Sequence, residues 1–122
     1  MNTHKYVGLD LHQSSISIAV HNHQGKLIAQ SIIETRIATI RDFFKGLSGT
    51  IHATFEEGTQ ANWLYDILQP ILSEVIVCNP IHNRLLAAGN KADSIDADKL
   101  AYLLRLGSLK SVYHAALGTR PL

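Results

Sequence analysis

Five carboxylates stand at positions where the surrounding pattern implies folded structure: Asp10, Glu56, Glu57, Asp93 and Asp96. Asp10 sits among Val7, Leu9 and Leu11, in a run expected at the centre of a sheet. An unpartnered ionised carboxylate is costly in such a place, so it needs a strand end, water or a nearby cation; capping a turn is the plain alternative. Glu56 and Glu57 directly follow the alternating Ile51, Ala53 and Phe55. Glu56 lies just beyond the last inward-facing position, and Glu57 would point the other way were the strand to continue. The plain alternative is that both favour the N-terminus of the next helix, where negative charge is stabilised by about 0.3–1 kcal/mol. Asp93 and Asp96 fall at the start of a predicted helix with the i, i+3 spacing that shares a face. Alternatively, Asp93 caps that helix and Asp96 fills its first turn, without chemistry.

Brought together, Asp10, Glu56, Asp93 and Asp96 could not crowd without cations. Hard divalent ions with oxygen ligands are their natural partners. Two such ions about 3.5–4 Å apart clamp the attacking and leaving oxygens of a phosphodiester. The idea requires the first and fourth strands to be neighbours. His12 shares a strand face with Asp10, where a solvated histidine outweighs a ligand. Lys91 either meets phosphate or offsets the neighbouring acids. Lys5, Arg36, Arg41, Lys45, Arg84 and Arg105 are candidates for nucleic-acid contact, with a solvated charged surface as the default for each.

The elements that must position these residues follow from hydrophobic periodicity. Strands are expected over 5–11, 15–21 and 26–33, the last two joined by the turn Asn22-His23-Gln24-Gly25. Ile37, Ile40, Phe43, Phe44 and Leu47 predict an amphipathic helix over 37–47. A fourth strand through Ile51, Ala53 and Phe55 leads to a helix over 60–68, with Thr59 as its N-cap. The apolar run 74–78, closed by Asn79-Pro80, is expected to be a buried parallel strand. Leu85, Leu86 and Ala87 suggest a short helix, and Ile95, Leu100, Leu103 and Leu104 a stronger one over 94–105. Residues 107–122 are weakly patterned. The order βββαβαβα predicts an α/β fold, a mixed sheet with helices on both faces.

Composition bounds the rest. At 122 residues, 46% hydrophobic and 17% charged, the chain fits one folded domain with its own core. The single cysteine, Cys78, excludes an intramolecular disulfide and fits a cytosolic protein. No apolar run approaches the roughly 20 residues needed to span a bilayer, and no signal-peptide pattern precedes the first strand. A net charge of +1 is not that of a stand-alone nucleic-acid binder. The seven histidines are scattered and show no zinc-ligand spacing.

Four stretches, taken in order, resemble a known family. They are Tyr-Val-Gly-Leu-Asp-Leu-His at 6–12, Phe-Glu-Glu-Gly-Thr at 55–59, Val-Cys-Asn-Pro at 77–80 and Lys-Ala-Asp-Ser-Ile-Asp-Ala at 91–97. The chain is similar over about residues 5–106 to the N-terminal domain of DEDD transposases of the "insertion sequence 110" group, bacterial recombinases related to the Piv invertases. The last stretch is the most specific; the Gly-Leu-Asp piece alone is weak. The resemblance implies a RuvC-like, ribonuclease H-like fold. It implies a Mg²⁺- (or Mn²⁺-) binding tetrad of Asp10, Glu56, Asp93 and Asp96 that acts on DNA phosphodiesters during transposition. Two departures stand out. The family's Glu-x-Thr-Gly setting is replaced by Glu-Glu-Gly-Thr-Gln, and Ala92 replaces a usual Ser or Thr. Phe55 and the spacing to Asn79-Pro80 favour Glu56 as the ligand; the spacing to Thr59 favours Glu57.

Family members are longer, and carry a C-terminal domain with a serine thought to be the nucleophile; some use an element-encoded guide RNA. The resemblance therefore implies a catalytic domain over 1–106 and, from 107 to 122, the start of a linker to that further domain. It also implies DNA, guide RNA and a second copy of the chain as partners, and a cytoplasmic, nucleoid-associated location. Three other readings compete. A Holliday-junction-resolvase-like nuclease should carry more basic surface. An actin-like kinase needs a glycine soon after Asp10, where Leu11-His12-Gln13 stands. A non-catalytic docking or oligomerisation module would use these acids only as caps.

Overall fold

The computed structural model describes residues 3–80 and 96–116, with side chains described up to residue 112. Three antiparallel strands open the chain: β1 (His4–Leu11), β2 (Ser15–Asn22) and β3 (Leu27–Glu34). The β2–β3 hairpin turns where the sequence expects. The Asn22 side chain accepts hydrogen bonds from the amides of Gln24 and Lys26 at 2.9 and 3.0 Å, and Gly25 takes the positive φ of 84° that this turn needs.

Helix α1 (Ile37–Lys45) leads into β4 (Thr50–Glu56), which pairs in parallel with β1. Helix α2 (Ala61–Leu68) and β5 (Glu74–Cys78) follow, β5 parallel to β4. Helix α3 (Ala97–Leu106) and the antiparallel edge strand β6 (Ser111–Ala116) complete the described chain. The sheet order is β3-β2-β1-β4-β5-β6. This mixed sheet, with a three-stranded meander leading into βαβ units, is the ribonuclease H-like (RuvC-like) α/β arrangement.

Each strand alternates its side chains between two faces. One face carries Val7 and Leu9, Ile16, Ile18 and Val20, Ile51, Ala53 and Phe55, and Val75 and Val77. Ile40 and Phe44 of α1 and Leu64, Tyr65, Ile67 and Leu68 of α2 pack into the same core. Burying each large side chain contributes about 1.5–3 kcal/mol, so this face is the main source of stability. The opposite face presents Gly8 and Asp10 of β1, Ala19 and His21 of β2, Thr54 of β4 and Cys78 of β5; α3 covers it through Leu100 and Ala101. The helices thus lie on both faces.

Three local expectations are corrected. Helix α2 starts at Ala61 with Gln60 as its N-cap, so Thr59 is not the cap. Helix α3 starts at Ala97 rather than 94, because Asp96 is extended (φ −75°, ψ 171°) and caps it. Residues 111–116, read as part of a weakly patterned tail, form β6 within the sheet. The short helix expected around Leu85–Ala87 lies outside the described residues. Among the described residues, no helix is long and apolar enough to cross a membrane.

Candidate active site

Asp10 and Glu56 line the same opening at one end of the sheet. The parallel β1–β4 register pairs Gly8 with Thr54. The pairing ends there; Asp10 and Glu56 lie two residues further along their strands, on the face covered by α3, and line one opening. Asp10 also pairs with Ser17 of β2, and Glu56 with Cys78 of β5. The sheet therefore brings two acids from distant parts of the sequence to one opening. Strand parity separates Glu56 from Glu57: the Glu57 amide donates to the Cys78 carbonyl at 2.9 Å as the chain leaves β4.

Helix α3 brings the third acid. An added Cβ at Gly8 would lie 2.1 Å from the Ala97 carbonyl oxygen and 2.7 Å from the Ala101 amide. The first turn of α3 thus rests on bare strand backbone, two residues from Asp10. Asp96 caps this turn, its Oδ1 accepting from the Lys99 amide at 2.8 Å. A second tie fixes the helix laterally. His21, 4% exposed, has Nε2 2.7 Å from Asp98 Oδ1. Helix α3 begins after Asp96. Asp93 itself lies outside the described residues.

Two openings flank Asp10. One, of about 530 Å³, is lined by Asp10, His12, Glu56, Glu57, Thr59 and Leu100, among others. The other, of about 420 Å³, is lined by Asp10, Ser17, Gln30, Ile32, Asp96 and Asp98, among others. Asp10 lines both openings, one with Glu56 and the other with Asp96. His12 Nε2 stands 3.3 Å from Asp10 Oδ2. His12 is thus an exposed neighbour of the first acid, in keeping with the solvated histidine that the sequence favoured over a ligand.

The donors suit a hard cation: they are carboxylate oxygens, and neighbouring strand ends bring two of them to one opening. Among the described residues, no group of three or more such side chains converges closely enough to hold a metal. The basic candidates divide. Arg36 approaches Glu34 at 3.5 Å, and Lys5 donates to the Ser48 carbonyl. The guanidinium of Arg105 is folded against the Gly25 turn, and its Nε is buried. Arg84 and Lys91 lie outside the described residues. Sequence reading missed Gly8 as the seat of α3 and the His21–Asp98 tie; a histidine closing the apolar run Ile18-Ala19-Val20 was the available signal for the second.

The model of the DEDD transposase family of the "insertion sequence 110" group matches residues 7–118. The chain belongs to that transposase family. No curated protein matches the chain in sequence. Among solved structures, it is similar to the crystal structure of a ROK family transcriptional regulator, a homolog of the E. coli MLC protein. That match has 15% identity and a TM-score of 0.47, and covers 70% of this chain. The chain spans 30% of that protein's length.

Proposed function

We propose that this chain is the metal-binding catalytic domain of a DNA transposase, with Asp10, Glu56, Asp93 and Asp96 as the ligands. The observation that carries the reading is the juxtaposition of Asp10 and Glu56 on neighbouring parallel strands, with Asp96 at the start of the helix that covers them. Membership of the transposase family supplies the substrate class, DNA. Bound Mg²⁺ or Mn²⁺ would polarise the scissile phosphate and offset its charge. Asp10, at the centre, is the ligand shared between the Glu56 side and the Asp96 side. His12 holds one oxygen of Asp10 and so orients the other. Asp96 divides its carboxylate between capping α3 and the site, so metal uptake and helix docking are linked. In this reading the domain includes β6, which completes the sheet, so a linker to a further domain begins beyond that strand rather than at 107. The nucleophile for strand exchange comes from that further domain, and a guide RNA and a second copy of the chain complete the working assembly in the cytoplasm.

Calorimetric titration with Mn²⁺ tests the assignment. Wild type takes up the ion, Asp10→Ala and Glu56→Gln lose at least the roughly tenfold in affinity that loss of a mere supporting partner of a ligand removes, and Glu57→Gln retains it. Uptake that survives Asp10→Ala unchanged overturns the reading. Loss on Glu57→Gln with retention on Glu56→Gln moves the second ligand by one residue.

A further inference from the structure

Away from the candidate active site, three neighbouring strands join three titratable side chains. His4 of β1, His52 of β4 and Glu74 of β5 stand on the sheet face that carries α3, at the end opposite Asp10 and Glu56. His52 Nδ1 lies 2.6 Å from Glu74 Oε1, and His52 Nε2 lies 2.7 Å from His4 Nδ1. The imidazole planes of His4 and His52 differ by 15°, with centroids 4.9 Å apart. At the N···N distance of 2.7 Å that separation is close to the largest two such rings allow, so the nitrogens face each other in the ring planes. A metal ion between them would hold them about 4 Å apart; the observed spacing is that of a hydrogen bond. The Tyr6 ring lies parallel to His52 at 4.9 Å. The His52 and Glu74 side chains are 16% and 28% exposed, so water screens these bonds only in part.

Donor counting fixes where the protons sit. An ionised carboxylate only accepts, so His52 carries a proton on Nδ1 and donates it to Glu74. A neutral His52 then accepts at Nε2, so His4 donates from Nδ1 and holds no proton on its own Nε2. One further proton is accommodated without breaking a bond. It enters on His4 Nε2, the Nδ1 proton passes to His52 Nε2, and the charge comes to rest on His52 against Glu74. His4 stays neutral and now accepts at Nδ1. A second proton would charge both imidazoles and leave two donors facing each other at 2.7 Å. We infer that His4, His52 and Glu74 form a pH-sensitive clamp, which holds the start of β1 to β4 and β5 with one added proton and opens on the second. The clamp does not depend on the metal assignment. Other ionisable groups stand on the elements around it. Lys5 of β1 is bonded to the Ser48 carbonyl, and His21 of β2 is tied to Asp98 of α3. Lys99 of α3 lies over the Tyr102 ring, and Arg105 lies against the Gly25 turn. His114 of β6 is opposite Ile76 in the register. All of these, and Tyr6, are common to the two proteins compared below, so their titration cancels.

Urea unfolding of the wild type and of His4→Asn over roughly pH 5–7.5 tests the inference. The asparagine amide keeps a donor for His52 and cannot take a charge. In the unfolded wild type both imidazoles charge as the pH falls through about 6.5. The folded clamp takes one proton where the unfolded chain takes two, so acid destabilises the wild type. In the variant His52 takes one proton in either state, and this contribution vanishes. The wild-type folding equilibrium constant should therefore fall more steeply with acid than that of the variant, by up to about tenfold per pH unit. Equal slopes overturn the inference. Two-bond proton–nitrogen spectra of the wild-type imidazoles give a second reading that does not need the variant to fold. The first proton should leave His52 charged and convert His4 from its Nδ1–H to its Nε2–H form in the same step. A His4 that charges before His52, or that keeps its Nδ1 proton through that step, overturns the inference as well.

Discussion

Gly8 carries the closest approach between the sheet and α3. Gly8→Ala must push the helix outward or bend the strand, since the new methyl would sit 2.1 Å from the Ala97 carbonyl. Such overpacking costs about 1–3 kcal/mol. Urea unfolding should show that loss, and Mn²⁺ affinity should fall with it, because Asp96 moves away from Asp10. Asp10 tests the opposite sign. It lines one opening with Glu56, so the metal-free site holds two like charges together. Asp10→Asn should therefore raise the thermal midpoint without metal and abolish the gain that metal brings. A midpoint that falls in the metal-free variant would mean that Asp10 is held by its neighbours, and the repulsion argument fails.

At the scale of elements, α3 is anchored by its cap and by one buried polar tie. Asp98→Ala leaves the His21 imidazole buried without its partner, which costs about 1–3 kcal/mol. His21→Phe removes the polar group altogether and should cost less. Measuring both by denaturant midpoint separates an orphaned imidazole from mere loss of a contact. The elements around α3 also show what could be read in advance. Strands β1 to β5 and helices α1 and α2 were legible because Val7, Leu9, Ile51, Phe55, Ile40 and Phe44 repeat with the period of a buried face. The helix starts were not, because they turn on a single capping contact: Asp96 accepts from Lys99, which shortens α3, and Gln60 rather than Thr59 precedes α2. Strand β6 was hidden because Ser111–Ala116 is a short edge strand specified mainly by its partner β5. Within the site, the family resemblance favoured Glu56 through Phe55 and the spacing to Asn79-Pro80, whereas the contact of α3 on Gly8 is a tertiary event that no local pattern records.

For the whole molecule, ligand linkage gives the measurable consequence. An ion that binds only the folded chain stabilises it by about 2.7 kcal/mol at a hundredfold excess over its dissociation constant. The thermal midpoint of the wild type should therefore climb with Mn²⁺ concentration, and that of Asp10→Ala should stay flat. A flat wild-type curve would mean that the described carboxylates do not form a site in this chain. The apolar face built by α1 and α2 should be indifferent to the ion. Amide exchange there should slow only as far as global stability rises, while exchange in α3 should slow by more.

The parallel pairing of β1 with β4 has a kinetic corollary. Asp10 belongs to the opening meander, which can form from local contacts. Glu56 arrives only after α1 has carried the chain across the sheet, and non-local strand pairing is the slow kind. The ion can therefore recognise the chain only late in refolding. Added metal should retard escape from the native state and leave the rate of reaching it almost untouched. Stopped-flow mixing with Mn²⁺ present in only one of the two directions would read this out, and the carboxylate pair becomes an internal clock for the moment the two halves of the sheet join.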